Sequence, residues 1–387
     1  MAEIEIGMGK SGRRAYGFDD IAIVPSRRTR DPEDVDISWQ IDAYRFELPL
    51  MASAMDGVVS PATAIEIGRL GGMGVLNLEG LWTRYEDAGS ILAEIAELPV
   101  EKATRRMQEI YQQPLIPGLV TERIREINAA GVVSCVSVTP QSTNALLDEI
   151  LAGEPDMLVI QGTVVSAEHV STTGEPLNLK TFIRQLDIPV IVGGCATNKA
   201  ALHLMRTGAA GVLVGVGPGH ACTTRGVLGL GVPQATAISD VRAARMRHLD
   251  ESGVYCHVIA DGGMATGGDI SKPIVCGADA VMIGSPLAAA IEAPGRGFHW
   301  GMATFHPTLP RGARVETVTR GTLEEILLGP AGENDGRSNL FGGLRTSMAT
   351  CGYVDLKEFQ KAEVMVAPAL QTEGKFLQKS QGVGMGH

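Results

Sequence analysis

The chain of 387 residues is 44% hydrophobic, 20% charged and only 4% aromatic, with 48 glycines and a formal charge of −11. This balance describes a well-buried globular protein with many tight turns, and its acidity argues against a general nucleic-acid or acidic-membrane surface while leaving room for a local pocket that takes one phosphate. The opening Met1-Ala-Glu-Ile-Glu-Ile-Gly7 lacks a basic segment, an apolar core and a cleavage site, and no apolar run nears membrane-spanning length, so the expected location is the cytoplasm.

Residues 1–40 mix arginines (Arg13, Arg14, Arg27, Arg28, Arg30) with the acidic run Asp31-Pro-Glu-Asp-Val-Asp36, which suggests an arm across one end of the fold with a solvated charged face. A repeating pattern then begins. A short apolar strand at 48–53 precedes a helix at 61–70 that opens with proline, and a second strand follows at 74–77. Helical segments at 86–96, 101–112 and 120–130 lead to a strand at 132–138. From there helices at 142–151, 178–186, 199–207, 235–251 and 269–276 alternate with strands at 157–161, 189–193, 211–216, 257–260 and 280–283. Eight strands separated by helices are the α/β pattern of a closed (β/α)8 TIM barrel rather than of a doubly wound sheet. After Ile291 the alternation stops: 292–312 is a turn-rich segment of the kind that forms lids, 329–339 a second loop, and 340–350 a helix with small residues suited to close packing. The chain thus reads as one domain, with an arm at 1–47, the barrel at 48–291, a flap and loops at 292–339, C-terminal helices at 340–373 and a flexible tail at 374–387.

In such barrels the site lies at the carboxyl ends of the strands. The sixth strand runs into Gly217-Pro-Gly-His-Ala-Cys222, a glycine-framed loop that carries a cysteine, and Thr223, Thr224 and Arg225 give that thiol hydroxyls and a permanent cation as sequence neighbours, the setting of a nucleophile. The other cysteines (Cys135, Cys195, Cys256, Cys276, Cys351) form no CxxC pair and read as structural free thiols, with neither a zinc site nor a disulfide framework signalled. Strand one ends in Ala52-Ser-Ala-Met-Asp56, strand five in Gly193-Gly-Cys-Ala-Thr197, strand seven in Ala260-Asp-Gly-Gly263 and strand eight in Gly284-Ser285. Asp261 suits two ribose hydroxyls as a bidentate acceptor, while Gly262, Gly263, Gly284 and Ser285 offer backbone N–H groups as a phosphate cradle.

Taken in order, Phe18-Asp-Asp with Val24-Pro25, Ser53-Ala-Met-Asp56, Gly217-Pro-Gly-X-X-Cys-Thr-Thr-Arg225, Gly231-Val-Pro-Gln234, Asp261-Gly-Gly263, Gly268-Asp-Ile270 and Val281-Met-Ile-Gly-Ser285 resemble the IMP dehydrogenase and GMP reductase family along nearly the whole chain, above all its short bacterial branch without CBS modules. The resemblance implies a homotetramer or octamer that binds a purine nucleoside monophosphate, with Cys222 attacking C2 of the base and Thr224 near the leaving or attacking group. It also implies a substrate set of Ser53, Met55, Gly219, His220, Asp261, Gly262, Gly263, Gly284, Ser285, Gly301 and Met302, the last two holding the base through main-chain contacts. Gln161 and Thr163 fall on the nicotinamide side, and the carbonyls of Gly217, Gly219 and Cys222 match a monovalent-cation site for potassium.

The departures from the family pattern bear on function. His220 replaces the usual phosphate-binding serine, Gln161 stands where an aspartate is usual, and the expected Pro-Glu-Gly reads Pro310-Arg-Gly312. No Arg-Tyr pair follows Met302, so water activation has no assigned group, and only helical segments separate strands two and three, which leaves no room for regulatory CBS modules. Gly231-Val-Pro-Gln234 favours the dehydrogenase form, and the reading is NAD-dependent IMP dehydrogenase in purine and GMP biosynthesis. GMP reductase and a catalytically silent nucleotide-binding relative are the alternatives.

Overall fold

A computed structural model describes residues 3–170, 176–301, 314–367, 378, 380 and 381. Its strands are the continuous apolar runs of the sequence, and each is buried on both faces as parallel strands are. In chain order the first half holds β1 (Leu50–Ala52), α1 (Pro61–Arg69), β2 (Met73–Asn77), α2 (Ala88–Glu97), α3 (Val100–Ile110), α4 (Pro117–Ala129), β3 (Cys135–Val138), α5 (Thr143–Gly153) and β4 (Met157–Gln161). The second half holds α6 (Leu179–Ile183), β5 (Val190–Cys195), α7 (Asn198–Met205), β6 (Gly211–Val214), α8 (Thr224–Leu228), α9 (Gln234–Ser252), β7 (His257–Asp261), α10 (Gly267–Cys276) and β8 (Ala280–Ile283). All eight strands pair in parallel with their sequence neighbours, and β8 closes on β1 through Val281 opposite Leu50 and Ile283 opposite Ala52. The expected (β/α)8 TIM barrel is thereby formed.

Local chemistry sets where the helices begin. Ser60 caps α1 by accepting from Thr63 N–H, with Pro61 in the first turn where its missing N–H costs nothing. Thr197 caps α7, and Thr266 with Asp269 forms a reciprocal capping box on α10. Between β2 and β3 the described chain holds helices, among them α2 and α3, whose Leu92, Ile95, Met107 and Ile110 make a second small core with Leu81 and Trp300.

The arm covers the end of the barrel opposite the carboxyl ends. Its hairpin, Trp39–Ile41 with Tyr44–Phe46, stacks Trp39 on Phe46 and sends the indole N–H to His257 Nδ1 at the start of β7, 3.2 Å away. Beside it Asp279, at the foot of β8, accepts from Arg245 at 2.8 Å, Tyr255 at 2.7 Å, Lys357 at 2.5 Å and the Val258 N–H at 2.8 Å. Burial alone would raise this carboxyl, but Arg245 and Lys357 hold it down at about 2. After β8 come α11 (Ser285–Ala288), a two-stranded ribbon of Phe298–His299 with Val315–Glu316, α12 (Leu323–Leu327) and α13 (Leu340–Thr350). The close packing expected of α13 is made on α10, where a Cβ on Gly267 would lie 3.1 Å from Gly343 Cα. Met302, the Pro310-Arg-Gly312 turn and nearly all of the expected tail lie outside the described residues. Among the described residues no helix is long and apolar enough to cross a membrane.

Candidate active site

At the carboxyl end of the barrel a cavity opens over strands β1 to β4 and β6 to β8, and the cysteine loop forms one of its walls. That loop sits where it does because Gly215, just past β6, lies against β7: a Cβ there would come within 2.2 Å of the Asp261 carbonyl oxygen. Gly217 then takes a positive φ of 76° with Arg225 packed on it, a conformation that excludes a side chain on both counts. Gly219 has no positive φ and its position is roomy: a Cβ there would find Cys222 Cβ as its nearest neighbour, 3.9 Å away.

Cys222 is the exposed cysteine of the described chain, and its thiol donates to Thr224 Oγ1 at 3.2 Å. Thr224 itself is buried, and both residues face the cavity. The other five cysteines are buried, and desolvation pushes Cys195 up to about 12 and Cys276 up to about 11, which keeps them inert thiols. Arg225 does not serve the thiol. Its guanidinium donates to the carbonyls of Val216 at 3.4 Å and Val232 at 2.9 Å, so it staples the two sides of the cysteine loop together from outside the cavity.

Opposite the loop, Asp261 ends β7, and among the described residues its carboxylate accepts from the Gln161 amide at 3.3 Å. Burial pushes the carboxyl up to about 7 against the lowering effect of that one hydrogen bond. Gln234 fixes the β6 and β7 ends, its Nε2 donating to the carbonyls of Val214, Asp261 and Gly262 at 3.0–3.2 Å.

Ser53, Met55, Gln161, Thr163, Gly217, Gly219, His220, Cys222, Thr224, Asp261, Gly262, Ser285 and Gly301 all line this one cavity. Two expectations need correction. Gly262 reaches the cavity, but its N–H is spent on the Met282 carbonyl at 3.0 Å, which extends the β7–β8 pairing, so it is no donor to a phosphate. Gly263 and Gly284 lie just outside the lining, the first against Pro218 and Gln234, the second beneath Met55 and Ser53. Strand five contributes no side chain, because Gly193 and Gly194 press on Leu213 and the Gly215 carbonyl, Cys195 is buried and Thr197 is a helix cap.

The cavity also holds residues that the sequence did not single out. Asn77 at the end of β2 and Glu79 just past it, with Ser137 in β3 and Thr139 just past that strand, form the wall on the side of Gln161 and Thr163. The Glu79 carboxylate accepts from Thr139 N–H at 2.6 Å and Ser142 Oγ at 2.5 Å, binding two strand-end loops together. Polar residues at the carboxyl ends of strands two and three were the available signal. Behind the wall rather than in it stands His299, remote in sequence and wholly buried, whose Nε2 lies 2.8 Å from Ser285 Oγ.

A family model described as the IMP dehydrogenase / GMP reductase domain matches residues 15–376. The chain is 51% identical over 372 residues to an uncharacterized oxidoreductase of Mycolicibacterium smegmatis, covering 94% of this chain and 99% of that one. It is 26% identical over 484 residues to an inosine-5'-monophosphate dehydrogenase of Methanocaldococcus jannaschii, covering 93% and 94%. A crystal structure of an IMP dehydrogenase/GMP reductase-like protein from Corynebacterium glutamicum superposes with a TM-score of 0.89 at 47% identity, over 94% of this chain and 97% of that one. With its strand-end cysteine loop and its eight-stranded barrel, the chain belongs to the IMP dehydrogenase / GMP reductase family of oxidoreductases.

Proposed function

We propose that the protein is an NAD-dependent IMP dehydrogenase, converting IMP, NAD and water to XMP and NADH. The observation that carries this reading is the placement of an exposed Cys222, hydrogen-bonded to Thr224, in the same cavity as an Asp261 carboxylate short of donors. Asp261 accepts from both ribose hydroxyls and fixes the nucleoside, with Ser53, Met55 and Gly301 around the base and His220, Ser285 and Gly219 towards the phosphate. Cys222, as the thiolate, forms a bond to C2 of the purine and leaves a saturated carbon that carries the hydride to be lost. NAD, when bound, supplies the acceptor for that hydride. Beside the Glu79 carboxylate, the neutral hydrogen-bonding groups of Gln161, Thr163, Ser137 and Asn77 suit a carboxamide and a ribose, and Gln161 and Thr163 would hold the nicotinamide end. Water then adds at C2, the carbon–sulfur bond breaks, and XMP leaves with the thiol restored, one proton being released overall.

Potassium fits this loop poorly. The Gly219 carbonyl is turned to the Cys222 N–H at 3.0 Å, and the Arg225 guanidinium, a permanent cation, already packs on Gly217 and bonds the adjacent Val216 carbonyl. No step is assigned to potassium.

GMP reductase remains the second reading, favoured by the absence of an Arg-Tyr pair after Met302 that would activate water. The same assignment carries a cytoplasmic location and a homotetramer as expectations. Purified protein given IMP with NAD, or GMP with NADPH, while the reduced cofactor's absorbance is followed, separates the two. Gain of absorbance with the first pair alone supports the dehydrogenase, loss with the second alone overturns it, and silence with both leaves a nucleotide-binding relative.

A further inference from the structure

The cavity has an unusual electrostatic makeup for a site that takes a phosphate. Among its described wall residues there is no lysine or arginine, and the side chain able to become a cation is His220. Directly behind Ser285 stands a second imidazole. His299 is wholly buried, its Nε2 is 2.8 Å from Ser285 Oγ, its Nδ1 is 2.7 Å from Thr317 Oγ1, and its ring centroid is 5.9 Å from that of His220.

Both ring nitrogens thus meet hydroxyls, which can donate or accept, so the proton on the ring decides the direction of each bond. With the proton on Nδ1, the Nε2 lone pair takes the hydrogen of Ser285, and the serine shows only lone pairs to the cavity. With the proton on Nε2, or on both nitrogens, the ring donates to Ser285 and frees the serine hydrogen to point at an anion. A phosphate dianion is repelled by the first arrangement and bound by the second.

Resting on the nucleotide reading above, we propose that His299 is a positioning residue which turns the Ser285 hydroxyl into a donor to the nucleotide phosphate, with His220 as a second imidazole on the same anion. The groups around His299 agree with this role. His220 faces it from the cysteine loop, Ser285 and Thr317 face it with hydroxyls, and the turn after β1 presents main chain at Gly57. Glu316, on the paired strand opposite Phe298, is exposed and interacts with Arg314. Burial, and to a lesser degree His220, push His299 down to about 4, so the ring is neutral in the free protein near pH 7 and a bound dianion selects its Nε2-protonated states.

The test is a double-mutant cycle on binding, with IMP and inosine titrated calorimetrically into wild type, Ser285→Ala, His299→Phe and the double variant. Each single change should weaken IMP about tenfold, the loss expected for one hydrogen bond to a charged group, while leaving inosine unchanged. The double variant should bind no worse than Ser285→Ala alone, since the histidine acts through the serine. His299→Gln, whose amide keeps a donor, should restore most of the affinity, and His299→Leu replaces the phenylalanine variant if that one does not fold. Additive losses, or unchanged IMP affinity in the folded variant that lacks the donor, overturn the proposal alone. Wild-type protein that binds inosine as tightly as IMP, or neither, overturns the nucleotide reading and this proposal with it.

Discussion

Removing the Gln161 side-chain amide, as in Gln161→Leu, isolates what holds Asp261 ionised. Burial drives that carboxyl up to about 7, and the opposing hydrogen bond among the described residues is the one from Gln161 at 3.3 Å. A hydrogen bond to a charged group contributes about 1.5–3 kcal/mol, and the low end suits so long a contact. Each 1.36 kcal/mol corresponds to one pKa unit, so the midpoint should move up by about one unit. Only the carboxylate accepts from both ribose hydroxyls, so affinity for IMP rises with pH through the midpoint in either protein. At pH 7 roughly half of the wild-type carboxyl is ionised against about a tenth in the variant, a roughly fivefold loss of affinity that should vanish near pH 9. Calorimetry with IMP from pH 6 to 9 reads this directly, and 2',3'-dideoxy-IMP removes the phosphate's own titration, near pH 6, from the comparison. Equal midpoints in the two proteins, or the same pH dependence for the dideoxy ligand, would refute the reasoning.

The remaining predictions touch other parts of the molecule. Cys222→Ala should abolish turnover, by a factor of at least about 10³ in kcat, yet bind IMP within about threefold of wild type, and an active variant would remove the covalent step. Turnover should be equal in matched potassium and lithium salts, because Arg225 staples the cysteine loop, whereas Arg225→Gln should lower kcat about tenfold; potassium activation of the wild type would return the ion to the loop. Burial holds the His257 ring neutral, with a pKa pushed down to about 4 despite the nearby Asp279, so the unfolded chain takes up this proton first as pH falls from about 6.5 to 4. Stability should therefore decline over that window by on the order of 3 kcal/mol, and His257→Gln should flatten the decline in urea titrations.

The barrel was legible because its physics is local. Val159 and Ile160 of β4, or Val212 to Val214 of β6, sit in runs that only a strand buried on both faces would carry, and Ser60-Pro61, Thr197 and Thr266 mark helix starts by chemistry confined to one turn. The cysteine loop and Asp261 were legible for the same reason, each lying at the end of its own strand. What escaped depends on approach through space. No local signal brings His299 to Ser285 across an irregular segment, or sets Arg225 on the Val232 carbonyl rather than beside the thiol. The Gly262 N–H reads as free in the sequence, and only the register of β7 on β8 shows that Met282 takes it.

Two carboxylates on adjacent strands, Asp279 buried and Asp261 half-buried in the cavity wall, make the strongest internal argument for a ligand. Asp279, at the foot of β8, gathers Arg245, Lys357, Tyr255 and the Val258 N–H and is held at about 2, the behaviour of a carboxylate whose folding has supplied its donors. Asp261, at the top of β7, has the Gln161 amide and rises to about 7. Nothing about strand structure requires the difference, because each sits at a barrel end where loops are free to bring donors. A charge buried without partners is a standing cost to stability, and substitution by a smaller neutral residue would remove it. The cost is offset if the missing donors arrive with a bound molecule, and two neighbouring hydroxyls meet the two carboxylate oxygens while lying within the cavity that Cys222 also faces. The arm covers the foot of the barrel, where Trp39 donates to His257 beside Asp279, and the cavity that Asp261 lines opens at the other end.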